Sequence, residues 1–297
     1  MLARLFLLAT ALYLRLLGAR RKRLRKGALT LVYYDVGPRD GEPWVLLHGL
    51  GSVAAGWSPV MRALRRSCRL LVPELSALGG TECPGGGLDM RQGVEILTEL
   101  TEREFGRRPV TVAGLSLGGW MAARLALAHP ERVSRLVLID AGGYHDQDWG
   151  RIQSLVTIED LAGVDRLYQA LFVRVPWLMR VSRAAFLKAY TSPGVKLVLS
   201  RLSEADTFGD ADLARLPMPA ALIWGEGDGI FAVETARAMA AALPRPHLDV
   251  LPGCGHALHL ECPRALIRAL QRFRRATSAE ESPQRHALPA SAAGRRV

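Results

Sequence analysis

The sequence predicts an α/β fold in which helices flank a mostly parallel central sheet and a helical cap is inserted late in the chain. Three observations lead to this expectation. Short, continuous apolar runs alternate with helical patterns along most of the 297 residues, which is the order expected of a parallel sheet with right-handed crossovers. Gly-containing loops follow several of these runs. Residues 144–214 show helical periodicity without a buried strand.

The same patterns divide the chain into four parts. We expect a membrane-associating segment at residues 1–27, an α/β core at residues 28–143 and 215–276, the helical cap at residues 144–214, and a disordered tail at residues 277–297. The cap is rich in large apolar side chains. Most of these side chains must pack within ordinary helices, and we expect some of them to line an apolar acyl pocket.

The amino-terminal segment is apolar at first and then strongly basic. Arg4 and Arg15 interrupt the apolar run at residues 2–17, which is already shorter than the roughly 20 residues of a comfortable membrane span. A basic run follows at residues 20–26, which is the reverse of the order in a secretory signal. We expect an interfacial helix or a short span, both with the folded domain on the cytoplasmic side. A transit peptide and an amphipathic helix packed on the body are the alternatives.

The basic charge is concentrated in this segment. The chain has 39 Lys and Arg against 28 Asp and Glu, a formal net charge of +11. Residues 1–26 hold eight of the basic residues and no acidic residue, so the rest of the chain carries only +3. The composition of the body therefore gives no support for a nucleic-acid partner, whereas residues 1–26 suit an anionic membrane surface.

The first part of the core supplies a candidate oxyanion loop. Residues 30–37 alternate like a half-exposed strand, and residues 44–48 read as a buried one. The loop at residues 48–52 follows, rich in glycine, and such a loop can aim unpaired backbone N–H groups into a crevice. We expect the N–H of Leu50 to bind an oxyanion there. A helix near residues 57–66 and a strand at residues 69–73 come next.

A Gly-Leu-Ser-Leu-Gly-Gly stretch at residues 114–119 is the most informative motif of the chain. An apolar strand at residues 109–113 precedes it, and a helix ended by Pro130 follows it. Strand, G-x-S-x-G and helix in this order predict a nucleophile elbow that exposes the hydroxyl of Ser116. The N–H of Leu117, at the start of the helix, would be the second oxyanion donor. The alternative is a Gly-rich turn with an incidental serine.

Two further polar residues follow predicted strands. Asp228 lies in a loop after the strand at residues 220–224, and His256 lies in a loop after the strand at residues 247–251. Ser116, Asp228 and His256 thus occur in the order serine, acid, histidine that a Ser-His-Asp triad on an α/β sheet uses. His256 would take the proton of Ser116, and Asp228 would orient the imidazole.

Other residues compete for these roles. Asp140 also stands at a strand end, and it is the rival to Asp228 for the acid. His259 would be the base if the loop ran differently, whereas we expect His48 to organise its loop. His129, in the last turn of a helix, is expected to meet the helix dipole.

The cysteines give no metal pattern. The chain has no C-x-x-C pair, so we interpret its sparse cysteines as thiols of a reducing compartment. They are Cys68, Cys83, Cys254 and Cys262. The spacing of Cys254, His256, His259 and Cys262 fits no familiar zinc finger. We therefore predict neither a metal nor a cofactor.

Four motifs together carry a family resemblance. They are His48-Gly49-Leu50-Gly51, Gly114-Leu115-Ser116-Leu117-Gly118-Gly119, Ile223-Trp224-Gly225-Glu226-Gly227-Asp228 and Gly253-Cys254-Gly255-His256. The chain resembles the α/β-hydrolase superfamily over about residues 29–275. Its basic-flanked anchor and apolar cap resemble the branch of membrane-associated monoacylglycerol lipases and bacterial lipases. The resemblance implies a serine hydrolase that cleaves apolar carboxylic esters or glycerides through an acyl-enzyme on Ser116.

The chain departs from the family pattern at two places. Glu74-Leu75-Ser76-Ala77-Leu78-Gly79-Gly80-Thr81 replaces the usual Asp-x-x-Gly-x-Gly-x-Ser, and the usual proline after the acid is missing around residues 230–232. Both departures concern substrate preference rather than the triad. Carbon-carbon bond hydrolysis and acyl transfer on the same fold therefore stay open as alternatives. A non-catalytic binding or membrane-scaffold protein is the alternative from another class.

Overall fold

The central sheet has eight strands and is mostly parallel. The computed structural model describes residues 12–83 and 88–281, and the strand order is β1-β2-β4-β3-β5-β6-β7-β8. The strands are β1 (Arg20–Lys26), β2 (Leu29–Val36), β3 (Glu42–Leu47), β4 (Cys68–Pro73), β5 (Val110–Leu115), β6 (Val133–Ile139), β7 (Ala220–Gly225) and β8 (Pro246–Leu251). Only the pairs β1–β2 and β2–β4 are antiparallel within the described residues. The predicted fold class is confirmed.

The register of the parallel strands determines where a site can form. Leu47 of β3 pairs with Gly114 of β5, and Leu115 of β5 pairs with Ile139 of β6. Strands β3, β5 and β7 are apolar and buried almost throughout, as expected for strands covered on both faces. Because these strands end level with one another, the loops that follow them meet at one edge of the sheet.

Helices cover both faces of the sheet and the edge where these loops meet. They are α1 (Ser58–Leu64), α2 (Met90–Phe105), α3 (Leu117–Ala128), α4 (Trp149–Val156), α5 (Leu161–Leu171), α6 (Trp177–Val181), α7 (Arg183–Tyr190), α8 (Pro193–Arg201), α9 (Asp210–Leu213), α10 (Val233–Ala242), α11 (Leu258–Glu261) and α12 (Pro263–Glu281). One core packs α2, α3 and α10 against the sheet, and a second core packs α1 and α12 against its other face. Helices α4–α9 occupy the segment predicted as the cap.

The basic run at residues 20–26 is part of the sheet. It forms the edge strand β1, paired with β2 from Arg20 opposite Asp35 to Lys26 opposite Leu29. Leu24 is the buried residue of this strand, and charged residues are a common way to protect a sheet edge from further pairing. The boundary that we placed between residues 27 and 28 is therefore corrected, because the core begins at about residue 20.

A helix at residues 12–16 precedes β1. Its Leu14 packs into the second core, whereas Leu12, Tyr13 and Leu16 are exposed. None of the helices in the described ranges has both the length and the apolar character that a membrane crossing needs. Residues 1–11 of the predicted membrane-associating segment lie outside the described residues.

The carboxyl-terminal helix is longer than the sequence indicated. Helix α12 continues to Glu281, and the Arg135 Nε donates to the hydroxyl of the buried Thr277, 2.6 Å away. Residues 277–281 are thus helical, which corrects the predicted start of a disordered tail. The rest of that predicted tail, residues 282–297, lies outside the described residues.

A buried charge network fastens β1 and β2 to the rest of the sheet. Arg69 donates two hydrogen bonds of 3.0 Å to Asp35, which is 2% exposed. Lys22 lies 2.8 Å from the same carboxylate, and both cations also contact Glu104. Burial alone would raise the pKa of Asp35, but the hydrogen bonds from Arg69 and Lys22 outweigh burial and lower that pKa.

Removal of Arg69 should therefore be costly. We expect Arg69→Met to lower the free energy of unfolding by about 3 kcal/mol, because a buried carboxylate loses its main partner and only Lys22 compensates it. The matched control is Arg272→Met, which breaks an exposed pair with Asp249 and should cost about 0–1 kcal/mol. Urea denaturation at neutral pH measures both values. Equal losses in the two variants would contradict this account.

Candidate active site

Ser116 lies in the strained turn between β5 and α3. Its φ is 55° and its ψ is −120°, a conformation that costs a non-glycine residue of order 1–3 kcal/mol. A Cβ atom on Gly114 would lie 2.1 Å from the Gly118 carbonyl oxygen, and one on Gly118 would lie 2.4 Å from the Leu47 carbonyl oxygen. The turn therefore requires glycine at both positions, which explains the G-x-S-x-G spacing.

His256 and Asp228 form a hydrogen-bonded acid-base pair. His256 Nδ1 donates to Asp228 Oδ2 over 2.8 Å, and the two side chains are 6% and 0% exposed. The backbone N–H groups of Ile230 and Phe231 donate to Asp228 Oδ1 over 2.7 and 3.0 Å. Because Nδ1 is used by the acid, Nε2 is the imidazole nitrogen available to accept a proton.

Asp140 lies next to this pair without replacing Asp228. It follows β6 and is fully buried, and one atom each of Asp140, Asp228 and His256 lies within 4.8 Å of the others. Asp228 holds the imidazole in the described structure. Burial, and then the neighbouring Asp228, raise the pKa of Asp140 well above its ordinary value.

The loop after β3 lies against the nucleophile. A Cβ atom on Gly49 would be 3.2 Å from the Ser116 Cβ and 3.7 Å from its Oγ. Leu50 is the next residue of this loop, and Leu117 is the first residue of α3, where N–H groups have no acceptor within the helix. The two backbone donors expected from the sequence thus belong to elements that flank Ser116.

Hydrogen bonds of His48 and Glu74 hold the segment around that loop in place. The Leu75 N–H donates to His48 Nε2 over 2.9 Å, and His48 Nδ1 lies 2.9 Å from the Gly49 carbonyl oxygen. Burial lowers the pKa of His48 to about 4, so the imidazole is neutral and acts as the expected structural residue. Glu74 accepts from the Ala54 N–H over 2.9 Å, and its burial raises the pKa of its carboxyl to about 7.

Two cysteines of the histidine loop form a disulfide, which corrects the expectation of four thiols. Cys254 and Cys262 are bonded, with their Cα atoms 6.1 Å apart, a normal separation for a disulfide. The short helix α11 turns the chain back after His256, and the sequence spacing did not reveal this turn. Cys68 is a buried free thiol.

His259 lies within the same disulfide-closed segment but makes no hydrogen bond to Asp228 in the described structure. It is 4% exposed and contacts the ring of Trp57, with 5.7 Å between ring centroids. Burial lowers its pKa to about 3. These surroundings suit a neutral core histidine better than the alternative base that the sequence offered.

The cap is hydrogen-bonded to both loops that carry the acid-base pair. The Gly229 N–H donates to the Ala170 carbonyl oxygen over 2.9 Å, and the Ala257 N–H donates to the Leu171 carbonyl oxygen over 3.1 Å. Glu261 adds a third connection, since its carboxylate accepts from a cap N–H and from a histidine-loop N–H. Displacement of α5 would therefore move the residues next to Asp228 and His256.

A cavity of about 520 Å³ lies beneath the cap. Its apolar walls include side chains of the elbow helix and of three cap helices, namely Trp120, Trp149, Ile152, Val156, Tyr190 and Leu199. The ring of Tyr190 would be 2.5 Å from a Cβ atom on Gly51, so one wall of the cavity packs against the loop after β3. Lys196, Glu159 and Glu204 supply its charged groups.

The burial of Glu74 predicts a pH-dependent stability. Its folded pKa of about 7 lies above the ordinary value of 4.5, so the folded state holds this proton more tightly. Its contribution is present below about pH 4.5 and is lost as pH rises through 7. This loss should be about 3 kcal/mol and should be absent in Glu74→Gln.

Urea denaturation across this pH range compares the wild type with the variant. His48 and His259 have lowered pKa values, so their effect on stability has the opposite sign, and only the difference between the two proteins isolates Glu74. Glu234→Gln, at an exposed carboxylate, is the control and should behave like the wild type. Parallel curves for wild type and Glu74→Gln would refute the assignment.

Comparison with known proteins relates this geometry to a family. A model of the alpha/beta hydrolase family matches residues 44–269. A pimeloyl-[acyl-carrier protein] methyl ester esterase of Nitrosomonas europaea is 31% identical over 250 residues, which cover 77% of this chain and 94% of that protein. A 2-hydroxy-6-oxo-2,4-heptadienoate hydrolase of Pseudomonas putida is 27% identical over 267 residues, which cover 83% of this chain and 93% of that protein.

Solved structures share the fold. A putative lipase from Acinetobacter baumannii superposes with a TM-score of 0.80 at 20% identity and covers 93% of this chain and 97% of its own. A bacterial membrane phospholipase A superposes with a TM-score of 0.81 at 23% identity and covers 93% and 92%. At these identities, the two structures support the architecture alone.

Proposed function

Because the chain belongs to the α/β-hydrolase family, we propose that it is a serine hydrolase that cleaves carboxylic esters of apolar acyl groups through an acyl-enzyme on Ser116. Hydrolysis as such is supported by the curated relatives, which include ester and carbon-carbon bond hydrolases. The observation that carries the finer proposal is the 2.8 Å hydrogen bond from His256 to Asp228 beside the strained Ser116 turn. The proposed chemistry needs no cofactor.

The proposed reaction has two halves. In the first, His256 Nε2 accepts the proton of Ser116 as its oxygen attacks the ester carbonyl, and the N–H groups of Leu50 and Leu117 bind the oxyanion. His256 then protonates the leaving alcohol, and Asp228 stabilises the imidazolium. Water attacks the acyl-enzyme in the second half with the same base.

Substrate binding has to complete this arrangement. Among the described residues, the side-chain hydrogen bond of His256 is the one to Asp228, and none joins His256 to the Ser116 hydroxyl. Catalytic hydrogen bonds of this kind are often long in the free enzyme and tighten when the substrate binds. We propose that the substrate brings Ser116 Oγ and His256 Nε2 into contact.

The cavity favours an apolar acyl group. Trp120, Trp149 and Ile152 are among the side chains that form its walls, and its described lining combines one lysine with two glutamates. Such a lining suits a hydrocarbon chain, whose transfer from water is favourable by about 25 cal/mol per Å² of buried apolar surface. A dicarboxylate would meet more negative than positive charge there.

A second candidate is carbon-carbon bond hydrolysis, because the cavity contains Lys196 and a relative is a 2-hydroxy-6-oxo-2,4-heptadienoate hydrolase. Lys196 would then bind a carboxylate of the substrate. The glutamates of the lining make this reaction the weaker proposal. Acyl transfer would use the same acyl-enzyme with an alcohol or a thiol in place of water.

We also propose that the amino-terminal segment holds the enzyme at an anionic membrane surface, with lipid esters as substrates. The exposed Leu12, Tyr13 and Leu16 support this proposal, as do the basic residues that follow them. Placement on the cytoplasmic side now rests on the distribution of basic residues. The cysteines do not support this placement, because Cys254 and Cys262 form a disulfide and disulfides are typical of oxidising compartments.

The proposed function is tested by removal of the nucleophile. Ser116→Ala should abolish labelling by a fluorophosphonate and should reduce hydrolysis of p-nitrophenyl esters by about 10⁴-fold or more, since no other group can form the acyl-enzyme. Ser154→Ala, an exposed serine in α4, is the matched control and should leave both measurements unchanged. Labelling that persists in Ser116→Ala would exclude the proposed nucleophile.

The same purified protein distinguishes the two candidate reactions. Hydrolysis of medium-chain esters and monoglycerides, with no cleavage of a dienoic ring-fission product, is the expected pattern. Faster cleavage of the dienoic compound than of any ester would favour the second candidate. Assays with anionic and neutral liposomes, with and without residues 1–11, examine the membrane proposal separately.

A further inference from the structure

Asp140 is the buried carboxyl group that the proposed reaction leaves without a role. It has a φ of 42°, and only Ser116 shares a positive φ among the described non-glycine residues. Its backbone N–H donates to the Ile223 carbonyl oxygen over 3.1 Å. A fully buried aspartate in a strained conformation beside the candidate acid-base pair needs a physical explanation.

The hydrogen bonds of Asp140 are incomplete. Its Oδ1 accepts from the Gly225 N–H over 2.8 Å. Its Oδ2 is buried and has no partner among the described residues. An ionised carboxylate with a buried oxygen that lacks a donor is unfavourable, whereas a protonated oxygen could itself donate.

Asp228 presents the opposite arrangement. Two backbone N–H groups and His256 Nδ1 donate to its two oxygens, and donors of this kind stabilise an ionised carboxylate. The carboxyl groups of Asp140 and Asp228 lie within 4.8 Å of each other and of the His256 ring. Two carboxyl groups so close in a dry site oppose each other's ionisation, which favours one shared proton.

We propose that Asp140 is a positioning residue that keeps its proton at neutral pH and donates a hydrogen bond from Oδ2 to the carboxylate of Asp228. The proton stays on Asp140 because Asp228 has three other donors and Asp140 has one. The unpartnered Oδ2 becomes a donor, and Asp228 gains a fourth hydrogen bond that fixes its orientation toward His256. The inference rests on the proposed function for its effect on rate, but the position of the proton does not depend on that function.

The surroundings agree with this distribution of charge. The titratable groups that face Asp140 in the described structure are Asp228 and His256. Burial raises the pKa of Asp140, and the neighbouring negative charge raises it further. The pair therefore carries a single negative charge, as a lone triad aspartate would, while the burial cost of a second charge is avoided.

Two substitutions separate donation from charge. Asp140→Asn replaces the O–H donor by an N–H donor and keeps an acceptor for Gly225, whereas Asp140→Leu removes both. We expect Asp140→Leu to lower kcat by about 10–100-fold, the effect of a lost hydrogen bond to a charged group, with little change in KM. The acid limb of its kcat/KM profile should move to higher pH, because Asp228 without this donor stabilises the imidazolium more strongly. Asp140→Asn should recover most of the loss in kcat and the wild-type pH profile.

The opposite results overturn the proposal. If Asp140 were ionised, Asp140→Asn would remove a negative charge, would lose as much activity as Asp140→Leu, and would move the acid limb to lower pH. If Asp140 were important for folding alone, both variants would lower the melting temperature and leave the pH profile unchanged. Circular dichroism melts of both variants accompany the kinetics.

Infrared spectroscopy locates the proton without any assay of activity. In Ser116→Ala protein near neutral pH, the carbonyl stretching band of a buried carboxylic acid should be present, and it should disappear when Asp140→Asn is added. Glu74→Gln identifies the separate band of Glu74. A spectrum that Asp140→Asn leaves unchanged would overturn the proposal. If the wild-type protein had no esterase activity and the band still disappeared as expected, the proposed function would be wrong. The inference about the carboxyl pair would be supported all the same.

Discussion

The candidate site depends on one constraint, the level ends of the parallel strands. The pairings of Leu115 with Ile139 and of Gly225 with Leu251 bring the loops after β5 to β8 to the same edge. The loops that carry Ser116, Asp140, Asp228 and His256, which are far apart in sequence, therefore lie at one edge of the sheet. A one-residue slip would turn the side chains of a strand to the other face of the sheet, and full burial of the central strands opposes such a slip.

Backbone contacts between cap and core add a second constraint. The end of α5 accepts hydrogen bonds from Gly229 and Ala257, which lie next to the candidate acid and base. The cavity lies beneath the same cap, and its wall residue Tyr190 packs against Gly51 in the loop after β3. A bulky acyl group that displaced the cap would thus also act on the acid-base pair. Under the proposed function, substrate selection and proton transfer would therefore be connected through the cap.

The sequence predicted features that depend on local chemistry. Helix α1 spans Ser58–Leu64, within the helix expected near residues 57–66, and it has a proline in its first turn. The Ser116 turn was equally predictable, since its glycines are required by contacts within the motif and with the adjacent β3.

Features that depend on distant partners were missed. The sequence predicts that the basic residues of β1 face a membrane surface, yet Lys22 pairs with Asp35 and Glu104. The Cys254–Cys262 disulfide depends on the turn of α11. The hydrogen bonds that distinguish Asp140 from Asp228 come from backbone groups whose positions require the folded sheet. For the same reason, the order of the motifs indicated a triad but not the state of its acids.

The proposed reaction requires that Ser116 become acylated during turnover, and the intact mass of the enzyme reveals this acylation. The protein is mixed with a p-nitrophenyl ester, quenched in acid during the first turnover, weighed by mass spectrometry and mapped by peptide digestion. We expect a mass increase equal to one acyl group, located on the peptide that contains Ser116. Ester turnover with no covalent intermediate in the first turnover, or an acyl group on another residue, would contradict it.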